Sequence, residues 1–518
     1  MHSPSKDVGE SGVSPPPKHH GLSLLPPPSD NPRDPLRWPK RTKIAALVVS
    51  ALTNFTVNFA GSGLSVAIPV LQMQYQKSAS EVNALLTFNF LLLGVGNLIW
   101  VPLAVKFGKR FSMITSTALH FAALTWTANV DGFSSLLAAR CLSGFAGSAG
   151  ESIVPGTVSD IFFLHERATM MSGYTILISG SSAMGPLIAS FVVQYSTGGW
   201  IDFAWVCMAL SGLNLVLLWL FYPESNFHRP EAEVTGEVSE VAPVAQKPTT
   251  LELDSIEANN SGVERIVTVD TVPTKWMNVW TSLITVDGSV NILKVGFRPL
   301  VLLLCPDVLF ATFLYGTALA SQIILIFAFP NFLLAPPYLF SVVGVGLMQV
   351  AALVGFVTAC FAGGYLADVL TARMIKRHDG AVFPEQRLAS LIPGCFIAPA
   401  GCIIIAFACS RNLHWVAIAF GFGMVSFGTV YAPNIAVTYV VESRPKHASE
   451  AIVIINVAKN LVAFLFLYVA VDWVAARGWI EVYMIMFMLV ALSMLFAIPL
   501  YFFGRKLSAW SSRFDRFL

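Results

Sequence analysis

Polar residues fill most of the first 43 positions, after which the chain becomes a series of apolar runs, each close to 20 residues long, separated by polar breaks. A helix rising 1.5 Å per residue needs about 20 such residues to cross the roughly 30 Å of hydrocarbon in a bilayer. The runs fall near 44–66, 82–104, 111–129, 134–158, 169–192 and 201–222, and, beyond a long polar interval, near 305–330, 338–366, 388–409, 414–440, 450–472 and 480–503. The pattern predicts an all-α membrane protein with twelve spans in two sets of six. The same boundaries predict a disordered N-terminal tail over 1–43, a six-helix bundle over 44–222, a linker over 223–300, a second bundle over 301–504 and a C-terminal tail over 505–518.

Composition agrees with the pattern. The 518 residues are 55% hydrophobic and 12% charged with 38 Phe, and mean hydropathy is +0.67, which excludes a soluble chain of this length. A net charge of +2 gives no electrostatic footprint for nucleic acid. The seven cysteines lie in or beside apolar runs without the His spacing of a zinc site, so neither a metal nor another cofactor is expected. A nucleophile elbow, a zinc motif and a phosphate loop are all absent, so an enzyme or an ATP-driven pump is not indicated.

Lys and Arg orient the spans, because short cytoplasmic loops carry their excess. Arg37, Lys40, Arg41 and Lys43 precede span 1, Lys106, Lys109 and Arg110 follow span 2, and Arg373, Lys376, Arg377 and Arg387 follow span 8, whereas the opposite loops hold only Lys77, Arg411 and Arg477. Both termini are therefore expected in the cytosol. Residues 230–275 are acidic, rich in Ser and Thr and poor in aromatics, which predicts a disordered cytosolic linker. From Trp276 the pattern turns amphipathic, as for a segment lying in the membrane interface. Two six-helix halves joined in this way suit a secondary transporter with its substrate site between them near mid-membrane.

Charges inside the spans point to chemistry, since each is costly in hydrocarbon. Arg140 and Glu151 both lie in span 4, eleven residues apart. At about 100° and 1.5 Å per residue they share a helix face roughly 16 Å apart, too far to pair with each other. Gly144, Gly147 and Ser148 around that face offer either a close helix contact or room for a ligand. Glu151, near the middle of the span, is the candidate proton site and a candidate contact for a cationic substrate. Lys459, in span 11 beside Asn456 and Asn460, is its expected counter-charge, with a carbonyl or an anionic substrate as the alternative partner.

The chain resembles the major facilitator superfamily, and more narrowly its fungal drug:proton antiporter branch with twelve helices. The resemblance runs over residues 31–508 through "NPRDPLRWPKRTK", "PLAVKFGKR", "AARCLSGFAGSAGESIVPGTVSDIFFLHER", "SGSSAMGPLIAS", "YPESNFHRP" and "GGYLADVLTARMIKRHDGAVFPEQRL". It implies two pseudo-symmetric six-helix bundles. It ties Arg140 to proton coupling, and makes Lys106, Gly108, Lys109 and Arg110, with Gly364 and Asp368 in the second half, elements of a cytosolic gate braced by Asp160 and Arg167. Val101 and Val105 stand where the first-half signature has Gly and Asp. Gly185 and Pro186 match the antiporter motif of span 5, and ordinary tight helix packing explains them equally well. Spans 1, 4, 7 and 10 surround the family's cavity, which adds Asn54, Asn58, Tyr315, Gln322, Tyr431 and Asn434 to Glu151, Asn456 and Lys459 as candidate lining residues.

The expected function is export of a small organic compound, such as a secondary metabolite, toxin or drug, in exchange for protons, by a monomer. Its place is the bilayer of the plasma membrane, with the vacuolar membrane as the alternative. Proton-coupled uptake of an organic cation or polyamine, and a transporter-like sensor, are the other two readings.

Overall fold

The computed structural model describes residues 34–227, 291–366, 384–444 and 447–511, with short pieces at 18–19, 22–23 and 288. The first half contains α1 (Lys40–Gly63), α2 (Ile68–Tyr75), α3 (Ala79–Phe107), α4 (Lys109–Ala128), α5 (Phe133–Ile161), α6 (Leu164–Tyr195) and α7 (Trp200–Phe221). After α8 (Ile292–Val301) come α9 (Pro306–Leu334), α10 (Val342–Leu347), α11 (Gln349–Phe361), α12 (Ile392–Ser410), α13 (Trp415–Ser443), α14 (Ala448–Leu495) and α15 (Ala497–Ser511). Among the described residues, nine helical stretches are long and apolar enough to cross a membrane.

Local sequence sets the breaks. Ser78 and Glu81 form a capping box that starts α3, each side chain taking a backbone N–H of the other residue. Gly108 turns the chain from α3 into α4 with φ +98°, a conformation that side-chain-bearing residues resist. Gly478, at φ +79° and ψ 173°, splits α14 into two arms. A straight helix over 48 residues would be about 72 Å long, far beyond a bilayer, so this break lets one continuous apolar segment turn back.

Within the first half α1 packs on α6, α3 on α5, and α4 on α5 and α7; within the second, α9 packs on α14 and α13, and α12 on α13. The halves meet along two seams, α3 against α14 and α6 against α10 and α11. Polar side chains point inward, where many hydroxyls bond to the carbonyl four residues back, as Thr53 does to Val49 and Thr157 to Ile153. Large apolar side chains such as Leu213, Val216, Phe396, Phe420 and Leu465 face outward, the inversion expected of a protein solvated by lipid.

Three expected boundaries shift. Residues 34–39, assigned to a disordered tail, form a capped 3₁₀ turn in which Leu36 and Trp38 are buried, because Asp34 accepts the Leu36 N–H and Lys43 donates to the Leu36 carbonyl. Residues 223–227, assigned to the linker, close the first bundle: the Glu224 carboxylate accepts the N–H groups of Lys109 and Arg110 at the start of α4, a favourable place for an anion. Burial pushes the Glu224 carboxyl above its ordinary value, while bonds from Asn226, Arg110 and Lys109 oppose this. Residues 505–511, assigned to a tail, continue α15 to Ser511, whose hydroxyl accepts from Arg444; Arg444 Nε also donates to Asp307 at 2.6 Å. The linker over 230–275 lies outside the described residues. The amphipathic segment enters them as α8, which rests on both α3 and α14.

Candidate functional site

Asn97 on α3 and Asn460 on α14 face each other across the seam between the halves, and Glu151 on α5 lies between them. Asn460 Nδ2 donates to Glu151 Oε2 at 2.9 Å, and Asn97 Nδ2 approaches the same oxygen at 3.4 Å. Lys459 Nζ stands 2.8 Å from Glu151 Oε1, with the two side chains 6% and 12% exposed respectively. Its ammonium also sits over the Tyr315 ring, 4.4 Å from the centroid, a stabilising cation–π arrangement. Asn456 Nδ2 donates to the Glu151 carbonyl at 3.1 Å. The carboxylate comes from the first half, and the ammonium and two of the amides from the second. One ion pair and its hydrogen bonds therefore stitch the halves together.

Close backbone contacts set this geometry. A Cβ on Gly94 would lie 3.1 Å from the Asn460 Cβ and 3.2 Å from the Val457 carbonyl, so glycine lets α3 approach α14 beside the pair. On α5, a Cβ at Gly144 would fall 2.3 Å from the Asn89 carbonyl and one at Gly147 2.4 Å from Val57, while Ser148 fits against Gly96. Of the two uses left open for these small residues, close helix contact is the one observed.

Arg140 is placed elsewhere. Buried to 2% exposure, it donates Nη1 to the Ala60 carbonyl at 3.1 Å and Nη2 to the Gly61 carbonyl at 3.0 Å. Those carbonyls belong to the last turn of α1, where a helix runs out of its own donors. Arg140 thus caps the negative end of α1, and a small cavity beside it is lined by Leu64, Thr127, Phe203 and Cys207. Glu151 is not among its described partners.

The other candidates divide. Tyr315 joins the central cluster. Asn54 donates to the Tyr174 hydroxyl at 2.7 Å, which in turn donates to the Gly150 carbonyl, and Asn58 donates back to the Asn54 carbonyl. These bonds tie α1 and α6 to α5 near Glu151. Gln322 Oε1 accepts from Thr429 at 3.3 Å, linking α9 and α13. Tyr431 is fully buried, stacks on Phe427 and donates to the Ser390 carbonyl at 2.7 Å, contacts that lie within the second bundle. Asn434 is half-buried on α13.

Among the gate candidates, Lys109 Nζ meets Asp160 at 2.5 Å, crossing Gly156, where a Cβ would come within 3.3 Å of it. Arg167 Nε donates to the Phe162 carbonyl, Arg110 Nη2 to the Trp219 carbonyl, and Lys106 lies over the Phe107 ring. The described partners of these side chains belong to the first half. Gly364 lies in the π-helical turn Ala362–Leu366, and Asp368 lies outside the described residues. Gly185 shows tight packing of α6 on α1: a Cβ there would stand 2.4 Å from the Phe59 carbonyl, and Pro186 follows within α6.

Asn97 escaped sequence reasoning because span 2 is not one of the four cavity spans, although an Asn inside "LLLGVGNLIW" is itself an intramembrane polar signal. At the end remote from α8, further bonds join the halves: Ser80 to Asp472 at 2.9 Å, Asn83 to the Leu467 carbonyl at 3.2 Å, and the Val343 N–H to Gln194 at 2.9 Å.

Comparison with known proteins places this geometry in a wider set. The profile described as Major Facilitator Superfamily matches residues 50–467. An uncharacterized MFS-type transporter of Schizosaccharomyces pombe is 24% identical over 96% of this chain and 90% of its own. A probable efflux pump of Aspergillus flavus is 27% identical over 77% of this chain and 87% of its own. The xylose transporter XylE of E. coli, in a partially occluded inward open conformation, shares the fold with a TM-score of 0.57 at 14% identity, covering 89% of this chain and 98% of its own.

Proposed function

We propose, from the premise that this chain belongs to the major facilitator superfamily, that it is a proton-coupled antiporter exporting a small organic compound by alternating access. Secondary transport comes with the family; proton coupling and direction are our reading. The observation that carries it is the 2.8 Å pair between Glu151 of one half and Lys459 of the other. Rocking of one half against the other moves α5 relative to α14, and the pair resists that movement. A proton on Glu151 removes its charge and releases Lys459. A substrate that engages Glu151 separates the two as well. Proton and substrate therefore compete for one carboxylate, and the empty carrier stays clamped, which is what exchange requires of an antiporter. The likeness to a named efflux pump supports export.

In this reading α4, α5 and the second arm of α14 join the nine strongly apolar stretches as membrane crossings, making twelve with both termini in the cytosol. The bonds of Ser80, Asn83 and Gln194 then close the outer face. The plasma membrane is the proposed location.

The test compares small molecules in medium and cells for strains carrying the wild-type protein, none, or Glu151→Gln. Accumulation of a compound in the medium with wild type alone is the expected result. Depletion of a compound from the medium by the wild type would replace export with uptake. Unchanged transport by Glu151→Gln would remove the carboxyl from the mechanism.

A further inference from the structure

We infer that the transported compound is an organic zwitterion, which presents a cationic group to Glu151 and an acidic group to Lys459. This rests on the transport reading above and narrows it to a chemical class. The central cluster holds one carboxylate, one ammonium, the amides of Asn97, Asn456 and Asn460, and the ring of Tyr315, so its charge is balanced before anything binds. A ligand that takes Glu151 Oε1 has to come between that oxygen and Lys459 Nζ, now 2.8 Å apart, because Oε2 is already held by the amides of Asn460 and Asn97.

The class follows from what each kind of ligand leaves behind. A simple cation satisfies Glu151 but leaves the Lys459 ammonium, buried to 6% exposure, with the Tyr315 ring and a second positive charge beside it. A simple anion satisfies Lys459 and leaves the Glu151 carboxylate next to another negative charge, held by amides alone. A neutral compound satisfies neither. Isolated charges in a low-dielectric interior are strongly unfavourable, and breaking one partner of a buried pair is far worse than replacing both. A zwitterion replaces both partners at once. It also needs Glu151 ionised, so protonation of the same carboxylate expels it.

The probe is the expressing cells' own small-molecule extract. Any compound whose distribution depends on the wild-type protein is treated separately with an amine-acylating and a carboxyl-esterifying reagent, and each product is compared with the parent for binding to the purified protein. The expected result is that the parent carries both groups and that blocking either one weakens binding at least tenfold. A compound lacking one of the charges, or a blocked product binding within twofold of its parent, overturns the inference and leaves antiport standing. No compound dependent on the protein overturns the transport reading and this inference with it.

Two variants separate binding from folding. Lys459→Gln is expected to lose transport of the zwitterion more than tenfold, and retention within twofold overturns the assignment. The double variant Glu151→Gln/Lys459→Gln removes both charges together and keeps hydrogen-bonding groups. It is expected to restore the detergent melting temperature to near wild type while transport stays lost; recovered transport would show the pair to be structural and overturn the inference.

Discussion

Arg140 holds two carbonyls at the end of α1 with its two amino groups, which accounts for a buried cation with no carboxylate partner among the described residues. The resemblance to antiporters ties this residue to coupling, while the geometry gives it a capping task, and the two can be told apart. Arg140→Met is expected to leave both carbonyls unpartnered and to destabilise the protein by about 3 kcal/mol, in line with losses of charged hydrogen bonds and broken buried pairs. The check is thermal unfolding in detergent. An unchanged melting temperature with abolished transport would return Arg140 to coupling. The reason sequence could not supply its partners is physical: a backbone carbonyl has no letter, so a cation bonded to one looks unpaired. Lys459 was more legible, because a lysine deep in an apolar run needs an acid and span 4 supplies one in Glu151.

Helices were readable wherever apolar runs match the thickness of a bilayer, and less so where their faces matter. Tyr431 and Tyr315 look equivalent in the sequence, both lying in spans around the family's cavity. Yet Tyr431 turns toward Ser390 and Phe427 within its bundle, and Tyr315 toward Lys459. Which side of a helix faces a neighbour depends on all its partners together. Small residues carry part of that information. On α6, Gly185 meets the Phe59 carbonyl so closely that Gly185→Ala forces α1 and α6 apart, whereas a Cβ on Gly173 of the same helix meets nothing within 4 Å. Gly185→Ala is expected to cost about 1 to 3 kcal/mol through overpacking. Gly173→Ala is expected to be neutral or to stabilise by up to roughly 1 kcal/mol through helix propensity. Melting temperatures of the two variants decide it, and equal values would mean that the α1–α6 contact yields freely.

For the whole molecule, the seams between halves are where alternation has to act. Ser80 and Asp472 meet at 2.9 Å at the end of the α3–α14 seam remote from α8. With cysteine at both positions, a short thiol-reactive cross-linker is expected to stop transport completely, and cleavage of the linker to restore it. Transport that continues after complete cross-linking would mean that this end does not open. The two halves themselves were legible from the polar interval between two sets of runs. The packed ends at Leu36, Glu224 and Ser511 were not, since short polar stretches reveal their tertiary partners only once the helices around them are placed.

The pairing of one acid with one base at the centre has an electrical consequence. With a proton on Glu151, the site carries the single positive charge of Lys459; with a zwitterion bound it carries none. Under the proposed antiport, each exchange moves one positive charge inward and a neutral load outward. At about 2.3 kcal/mol per elementary charge for every 100 mV, the membrane voltage would add directly to the proton gradient in driving the proposed export. A current that appears when substrate-loaded proteoliposomes meet an acid bath, and that vanishes in Glu151→Gln, is the expected signature. Silent exchange would mean that the charge of Lys459 is compensated while the carrier turns.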